Sequence, residues 1–408
     1  MNYLKAKNRT FTFALLLAAF SALGPFTFDM YLPSFPQIMK DFDTSASAVQ
    51  VSLTATLLGV GIGQIFMGPI SDVHGRRKPL VYAMIAYALS SFGCASAPNI
   101  AIFIGLRFIQ GFSAAAGMVI SRAIVRDLYC GVELTKFFSL LMLIGSAAPM
   151  VAPIAGSTVI SFTTWIGVFI FLGLLGLFLT SVTAWKIKES LPVEKRVPSN
   201  FTELLRNFTT LLRNRSFMGY ALAQGIMMAG IFAYLSGTPF IYQKIYGVSP
   251  QVFSFIFALN GIALIIGAQL VRILAGKMAE QNILRIGLSV AFISCCVVLV
   301  VVFTHGPLLS LVIPLLLFQV ALGLINPICF TLAMESQGHI AGSAAALLGV
   351  IPFLLGSLTS PLVGIAGEYS AIPFGVLMFT TSLLAMIAYL VLVKKEKTVT
   401  SSVLKKGM

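Results

Sequence analysis

The sequence predicts an all-α polytopic membrane protein, with twelve transmembrane helices in two pseudo-symmetric bundles of six. Hydrophobic residues make up 58% of the 408 residues and charged residues only 10%, whereas about a quarter of the residues of a soluble chain are charged. The apolar residues form blocks of about 20, the length that crosses a hydrocarbon core. Basic residues between these blocks collect on one side of the predicted membrane.

Twelve spans follow one another along the chain, with mostly short connections. The longest polar stretch, 186–216, separates an N-terminal six-helix bundle at 1–185 from a C-terminal bundle at 217–408, which ends in a short basic tail. Apolar residues recur at helical spacing from Phe201 to Leu211, which predicts a cytoplasmic amphipathic helix lying on the membrane. The predicted spans are 11–32, 48–67, 80–97, 100–122, 136–160, 164–185, 217–237, 250–272, 283–303, 308–330, 341–365 and 371–393.

A weak internal repeat relates the two halves. Gly63-Gln64 ends the second span, and Gly267-Ala268-Gln269 ends the eighth in a similar context. The loop after the eighth span, with Gly276-Lys277, lacks the aspartate and the Arg-Arg pair of the first copy. Six-span halves of this kind are a recurring transporter plan, with the substrate site between them near the midplane.

The net charge of +14 is distributed asymmetrically. The loops of one side hold only Lys40 and Lys244. This asymmetry predicts a multi-pass protein of the cell inner (plasma) membrane with both termini in the cytoplasm. The charge sets topology and gives no ground for a nucleic-acid partner. The other basic residues cluster in the N-terminal tail, at 76–78, 122–136, 186–215 and 272–285, and in the C-terminal tail.

The sequence favours neither an enzyme nor a cofactor-binding or metal-binding protein. Adjacent Cys295 and Cys296 lie in an apolar span without the other ligands that a metal site needs, so packing is the simpler interpretation. A Gly-Lys-Ser/Thr phosphate loop is missing, so the sequence does not support direct ATP hydrolysis. The chain also offers no nucleophile–base pair.

Asp29 is an acidic residue in the outer third of the first span, on an otherwise apolar helix that Pro25 is expected to bend. Ionisable groups inside spans are expensive and are functional hypotheses by default. A buried carboxylate binds its proton more tightly, so Asp29 is predicted to carry a proton. The alternative is a helix-end acid that contacts water or caps a neighbour.

Arg107 is a basic residue deep inside the fourth span. An unpaired guanidinium costs several kcal/mol there, so it should face a partner or a wet cavity. Asp29 is a candidate counter-charge, and Arg107 is then predicted to change the proton affinity of an acid or to bind an anionic group. A purely structural pair is the alternative.

The loop from Gly68 to Pro79 concentrates charge in a protein that has little. Its alternative interpretation is a positive connector that only sets topology. Its glycines and its charges together favour a structured gating loop, in which Asp127 pairs with Arg76 or Arg77, and Asp72 meets the start of the eleventh span in an outward-open state. The predicted gating residues are Gly68, Asp72, Gly75, Arg76, Arg77, Arg126 and Asp127.

The fifth span combines small residues with two prolines four residues apart. Small residues allow close helix packing, and the prolines bend the helix and free backbone carbonyls. The functional interpretation is a bent, sliding contact, and the alternative is a tightly packed helix pair. The residues of this motif are Gly145, Pro149, Pro153 and Gly156.

A third group of residues is predicted to line a substrate cavity. Methionine and aromatic side chains fit apolar ligands of varied shape, and the amides are weakly polar. The alternative is that these side chains are ordinary core or bond helices together. The candidates are Tyr31, Gln64, Gln110, Met118, Met142, Gln224, Met228, Tyr234, Asn260, Gln319 and Asn326.

Several of these motifs resemble those of the major facilitator superfamily. The loop Gly68–Pro79 resembles the signature between its second and third spans. Arg107 with Gln110 and Gly111 is similar to the fourth-span motif of its proton-coupled members. The fifth-span motif described above resembles that of its drug–proton antiporters. The resemblance covers essentially the whole chain.

Two further segments resemble the bicyclomycin/chloramphenicol resistance (Bcr/CflA) branch of that superfamily. They are Asp29-Met30-Tyr31-Leu32-Pro33 and Arg126-Asp127-Leu128-Tyr129. The resemblance implies a monomeric, proton-coupled multidrug efflux transporter that exports apolar small-molecule drugs by alternating access. It also implies that Asp29 carries the proton and that Arg107 couples proton to drug.

Two alternatives remain open at the level of the sequence. A carrier of the same fold for a small metabolite or amino acid, working in uptake or export, would use similar loops with a more polar cavity. The scarcity of acids and bases in mid-span beyond Asp29 and Arg107 favours apolar substrates. A channel or a receptor is the other class, and the six-plus-six plan weighs against it.

Overall fold

A computed structural model of the protein describes residues 2–196, 201–335 and 337–393. The predicted basic tail at the C-terminus lies outside these ranges. Within them, twelve long helices follow one another: α1 (Asn2–Asp29), α2 (Ala46–His74), α3 (Arg77–Ala95), α4 (Ile100–Leu128), α5 (Gly131–Phe162), α6 (Trp165–Lys186), α7 (Arg215–Phe240), α8 (Pro250–Leu274), α9 (Glu280–Phe303), α10 (Leu308–Met334), α11 (Ala341–Thr359) and α12 (Ile372–Leu392).

Each predicted span falls on one of these helices, which confirms the all-α membrane fold. Eleven helical segments of the described chain are long and apolar enough to cross a membrane. The remaining helix, α3, has 19 residues. It begins with Arg77 and Lys78 and contains Ser90 and Ser91, and these polar residues lower its hydropathy.

Polar caps and glycines set several helix boundaries. Ser45, Asn99 and Ser249 precede α2, α4 and α8, and each side chain accepts a hydrogen bond from a backbone N–H three residues further on. Such caps satisfy a donor that the first turn leaves free. Helix α2 is followed by Gly75 with φ 85°, and the corresponding loop after α8 contains Gly276 with φ 83°. Glycine adopts this left-handed conformation without strain.

Most of the helix packing repeats with an offset of six helices; one difference is that α7 also packs on α12, whereas α1 barely contacts α6. Helix α1 packs on α4 and α5, α2 on α4, and α3 on α4 and α6. Correspondingly, α7 packs on α10 and α11, α8 on α10, and α9 on α10 and α12. The two halves meet where α2 contacts α11 and where α5 contacts α8. Shifting the helix numbers of one of these contacts by six gives the other, so the two bundles are related by a pseudo-symmetry.

Glycines allow the closest helix crossings at equivalent places in the two halves. A Cβ on Gly59 of α2 would collide with the carbonyl oxygen of Phe108 on α4. A Cβ on Gly267 of α8 would collide in the same way with the carbonyl oxygen of Val320 on α10. The backbones of each pair therefore lie in direct contact, in agreement with the internal repeat predicted from the sequence.

The two halves are joined at the end that carries the loops 33–47 and 238–249, called here the outer end. The Gln50 side chain donates to the carbonyl oxygen of Ser236 at 3.0 Å, and Ser254 donates to that of Pro153 at 2.9 Å. The structure is therefore closed at its outer end. Two further bonds across the halves are Ser47 to the Pro361 carbonyl at 3.0 Å and Gln243 to the Pro33 carbonyl at 3.2 Å.

The predicted amphipathic helix of the linker is present as Phe201–Arg213. In its described part Leu211 is fully buried, and the Asn207 amide donates to the Ser343 hydroxyl at 3.4 Å. The helix contacts α7 and α11. It therefore packs on the second half at the inner end, opposite the outer end.

Candidate functional site

Asp29 is the last residue of α1 and is 1% exposed. Its Oδ1 has no hydrogen-bond partner. The chain then turns into a short 3₁₀ helix, Leu32–Ser34. Gly156 of α5 lies so close to the Met30 carbonyl that any Cβ there would overlap it. The fifth-span motif thus packs directly against the segment that holds Asp29.

Arg107 on α4 is fully buried. Its guanidinium donates to the Gln110 side-chain oxygen and, at 2.9 Å, to the carbonyl oxygen of Thr27. The Tyr31 ring lies under it at 4.0 Å and the Phe169 ring at 5.4 Å from the guanidinium carbon. A cation above aromatic faces is stabilised by the ring quadrupoles. The Nε atom has no hydrogen-bond partner.

The expected ion pair between Asp29 and Arg107 is not formed, and this corrects the sequence-based prediction. Because α1 ends at Asp29, the Thr27 carbonyl lies in the last helical turn, where no backbone N–H of the helix is left to donate to it. Arg107 takes this free carbonyl as its acceptor. The guanidinium is thus surrounded by neutral acceptors and rings, and the Asp29 carboxylate stays apart from it.

The Arg107 site continues into a polar network within the first six helices. The Gln110 amide donates to Ser91 of α3 at 2.7 Å, and the hydroxyls of Thr27 and Tyr87 lie 2.9 Å apart. The sequence analysis missed these three α3 and α1 partners; the Ser90-Ser91 pair in an apolar span was the available signal.

Two predicted cavity residues belong to this network. Gln110 and Tyr31 are fully buried, and the Tyr31 hydroxyl lies 3.1 Å from that of Ser52 on α2. The structure therefore places both inside the N-terminal bundle, where they surround Arg107, and not between the halves. A buried guanidinium needs acceptors and rings nearby, which is the physical reason for this difference.

The second half supplies buried polar atoms without hydrogen-bond partners. The Tyr234 side chain is 1% exposed, and its hydroxyl has no hydrogen-bond partner. Buried polar groups are normally paired, so each exception asks for an explanation. A ligand that visits the site would provide one. The amide oxygens in the same condition are those of Gln224, Asn260, Gln319 and Asn326.

Methionine and phenylalanine side chains accompany these amides. Asn326 donates to the Met228 sulfur at 3.5 Å. Phe353 of α11 contacts both Phe28 of α1 and Phe232 of α7, with ring centroids 6.4 Å and 5.6 Å apart. Phe353 thus bridges the halves, and the sequence analysis did not identify it because nothing local distinguishes it from other core phenylalanines.

The remaining cavity candidates lie on the first half. Gln64 of α2 faces α11, since a Cβ on Gly349 would lie 2.8 Å from its side-chain oxygen. The Met118 sulfur packs against Gly24 of α1. The side chain of Met142 lies outside the described part of the structure.

The gating loop is organised by Arg76, which is 3% exposed. Its guanidinium pairs with Asp72 at 2.6 Å and with Asp127 at 2.8 Å, and it donates to Ser71 at 2.7 Å. Burial opposes the charge of Arg76, but the hydrogen bonds to Asp127 and Asp72 outweigh burial and raise its pKa above the usual value. The predicted pair between Arg76 and Asp127 is confirmed.

Glu189, which follows α6, is a partner that the sequence analysis missed. Its carboxylate accepts hydrogen bonds from the backbone N–H groups of Arg76 and Arg77, at 2.7 Å and 3.2 Å. These groups lie at the start of α3, where free N–H groups and the helix dipole favour a negative charge. A Cβ on Gly75 would collide with this carboxylate.

The other gating residues are at the inner surface. The Arg77 guanidinium donates to the carbonyl oxygen of Ala184 on α6. Gly68 is half-buried beside Val119, and Arg126 is exposed. Of the fifth-span motif, Gly145 has open space around it. Pro149 and Pro153 lie inside a continuous α5.

The family model of the Major Facilitator Superfamily matches residues 14–361. The uncharacterized MFS-type transporter YdgK of Bacillus subtilis is 50% identical over 385 residues, covering 94% of this chain and 96% of that protein. The bicyclomycin resistance protein homolog of Haemophilus influenzae is 31% identical over 390 residues, covering 96% and 98%. The chloramphenicol resistance protein of Pseudomonas aeruginosa is 30% identical over 372 residues, covering 90% and 87%.

Solved structures share the fold. A mutant of the nucleoside transporter NupG has a TM-score of 0.75 at 14% identity, with 94% of this chain and 100% of that chain covered. A bacterial homolog of the human lysosomal transporter Spinster, inward-facing and unoccupied, has a TM-score of 0.72 at 14% identity, with 93% and 95% covered. By its family match and its relatives, the chain belongs to the Major Facilitator Superfamily as a transporter of the bicyclomycin/chloramphenicol resistance (Bcr/CflA) type.

Proposed function

We propose that the protein is a proton-coupled exporter that carries apolar drugs, of the bicyclomycin or chloramphenicol kind, out of the cell by alternating access. The observation that carries this proposal is Asp29, a fully enclosed carboxylate at the end of α1 with an unpartnered oxygen. Resistance proteins named for these two drugs are relatives over most of the chain. In this proposal Asp29 carries the proton.

The drug binds between the halves, on the side chains that the second half presents. Met228 and Phe353 offer adaptable apolar contact, and the unpartnered amides of Asn260 and Gln319 offer hydrogen bonds. These few polar atoms orient a mostly apolar molecule. The unpartnered Tyr234 hydroxyl adds a further hydrogen-bonding group to this set.

The proton exchange is linked to the position of the two halves. With the outer end closed, Asp29 releases its proton toward the inner end and the drug enters from the same side. When the outer end opens, Asp29 takes a proton from outside and the drug leaves. Arg107 supports the exchange through the backbone, because its guanidinium holds the Thr27 carbonyl two residues before Asp29 and so fixes the end of α1 that carries the carboxylate.

The gating loop acts as a latch at the inner end. In the present outer-closed structure Asp72 pairs with Arg76, and its side chain is 45% exposed. In the outward-open state Asp72 reaches the start of α11, where Ser343 lies. Asp72→Asn should therefore slow export without weakening drug binding. Export at the wild-type rate in that variant would mean that the loop only sets topology.

The proposed setting is the cell inner membrane, with both termini in the cytoplasm and the protein acting as a monomer. The basic residues of the inner loops support this orientation through the positive-inside rule. A tag at either terminus should react with an impermeant label only after the membrane has been opened to expose its cytoplasmic face.

The proposal is tested by measuring ethidium and chloramphenicol in energised cells with and without the protein. We expect the protein to lower drug accumulation, and we expect accumulation to rise to the level of cells without the protein when the proton gradient is collapsed. The purified protein in detergent should also release protons when drug is added. Unchanged accumulation of both drugs, or drug binding without proton release, would contradict proton-coupled drug export.

A carrier for a small metabolite or amino acid is the second candidate. It is favoured by one observation, the four buried amide oxygens without partners in the second half, which would suit a polar substrate. In the same proton-release assay an amino-acid mixture would then give the signal, and chloramphenicol would not.

A further inference from the structure

A groove lies on the surface of the first half, beside the gating loop. Helices α2 and α3 both pack along α4 but contact each other little. A space of about 440 Å³ therefore remains between them, with α4 as its floor. Its lining is almost entirely apolar, and it includes Met67 and Ile70 of α2, Tyr82 and Ala86 of α3, and Ile109 and Phe112 of α4.

The groove runs from the inner membrane surface into the hydrocarbon region. Its inner end is lined by His74 and Lys78, on either side of the α2–α3 loop. Ala86 lies eight residues after Lys78, which is about 12 Å along a helix. One leaflet of the hydrocarbon core is about 15 Å thick. The groove thus has a basic end at the surface and an apolar body that spans most of one leaflet.

Lys78 is the cation that is available at this end. Arg76 is committed to Asp72 and Asp127, and Arg77 donates to the Ala184 carbonyl. Lys78 is exposed and takes part in none of the ion pairs among the described residues. A basic group above an apolar groove is complementary to an anionic amphiphile, and basic pockets between membrane helices bind anionic lipid head groups.

We infer that this groove binds one anionic phospholipid of the inner leaflet, with its phosphate at Lys78 and an acyl chain between α2 and α3. We choose an anionic lipid because its net negative charge is attracted more strongly to Lys78 than a zwitterionic head group is. The lipid contacts the same loop that carries Arg76, so it forms part of the surroundings of the latch.

Native mass spectrometry of the full-length protein tests this inference. The protein is released from vesicles of equal phosphatidylglycerol and phosphatidylcholine, and the retained lipid is counted. We expect one phosphatidylglycerol to be retained, and Lys78→Ala to reduce its retention about fivefold. Lys277→Ala removes the same charge from the corresponding loop of the second half and should change nothing.

A second variant separates the groove from the charge. Ala86→Trp fills the groove and leaves Lys78 in place, so it should also remove the lipid; size-exclusion elution and melting temperature establish that each variant is folded. Equal retention of both lipids, equal effects of the two lysine variants, or full retention in Ala86→Trp would overturn the inference. So would reduced drug export with unchanged lipid retention in Ala86→Trp, which would assign the groove to drugs.

Discussion

The two halves share one plan of helix packing but differ in buried charge: among the described residues, the buried charged side chains, Asp29, Arg76 and Arg107, all lie in the first half. In the first half the guanidinium groups of Arg76 and Arg107 each donate to two or more acceptors. In the second half the buried amides of Asn260 and Gln319 each leave an oxygen without a partner. The first half thus fixes charges in defined places, and the second presents hydrogen-bonding atoms to a molecule that comes and goes.

The same contrast appears in the two corresponding inner loops. The loop after α2 carries Arg76 with two carboxylate partners, and Glu189, which follows α6, accepts a hydrogen bond from the Arg76 backbone N–H. The loop after α8 keeps the left-handed glycine, Gly276, and has an exposed Lys277. Gly75 and Gly276 have similar φ angles although the charges around them differ, which indicates that the glycine serves the turn itself. The charges belong to the proposed latch, which the second half lacks.

The largest effect should come from the proposed proton carrier. Asp29→Asn keeps the size of the side chain but removes its titration, so drug export should fall to the level of cells without the protein. Drug binding to the purified variant should persist, since the cavity is unchanged. Export that continues undiminished down an imposed pH gradient would remove Asp29 from this role.

The matched change in the second half sharpens that comparison. Asn260→Ala should weaken drug binding by about 1 kcal/mol and leave proton release per drug bound as in the wild type. Isothermal titration with proton counting measures both. If Asn260→Ala changed the number of protons released per drug bound, the proposal that the first half carries the proton and the second half binds the drug would be wrong.

Removal of Arg76 should be the largest effect on stability. Arg76→Ala leaves the Asp127 side chain, which is 12% exposed, without its cation, and breaking such a largely buried pair costs about 3 kcal/mol. The melting temperature in detergent should fall clearly. Lys277→Ala in the corresponding loop should stay within about 0.5 kcal/mol of wild type. Equal shifts for both variants would contradict the contrast between the loops.

The shared packing plan predicts equal effects in the two halves. Gly59→Ala and Gly267→Ala each place a methyl group against a backbone carbonyl of the neighbouring helix, which should cost about 1–3 kcal/mol in each case. Gly105→Ala, where open space surrounds the glycine, is the control and should not destabilise. A large loss in one half alone would show that the symmetry does not extend to these crossings.

The smallest effect should come from Glu189. Glu189→Gln keeps a hydrogen-bond acceptor at the start of α3 but removes its charge, a change of about 0.3–1 kcal/mol. Hydrogen exchange at the Arg76 and Arg77 amides should become faster. Glu280→Gln removes a charge from the first turn of α9 and should leave those amides unchanged. Protection that is the same in both variants would exclude Glu189 as a clamp on the loop.

Much of the fold could be predicted from the sequence because membrane spans depend on local composition. The pair between Arg76 and Asp127 was also within reach, since both residues lie where α2, α3 and α4 approach the same surface. The partner of Arg107 could not be predicted, because it depends on where α1 ends and on the Thr27 carbonyl that is left free there. Backbone acceptors have no sequence signature.

Long-range partners of ordinary type were missed for a related reason. Glu189 lies 113 positions from Arg76 along the chain, and Phe353 is one of 33 phenylalanines. Only the three-dimensional arrangement distinguishes them from other acids and rings. Tyr31 and Gln110 were predicted to line the cavity because polar and aromatic residues inside spans often bind ligands. In the structure they stabilise the Arg107 guanidinium instead.

The contact of Gly156 with the Met30 carbonyl has a mechanical consequence. Helix α5 touches the second half through the bond from Ser254 to Pro153, and one turn later it presses on the residue after Asp29. Because no side chain lies between Gly156 and this backbone, there is no compressible layer to absorb a shift of α5. A separation of the outer ends that moves α5 should therefore displace the end of α1 directly, and with it the carboxylate. Helix α5 would thus transmit the movement as a rigid element, and Gly156 is the point at which it contacts α1.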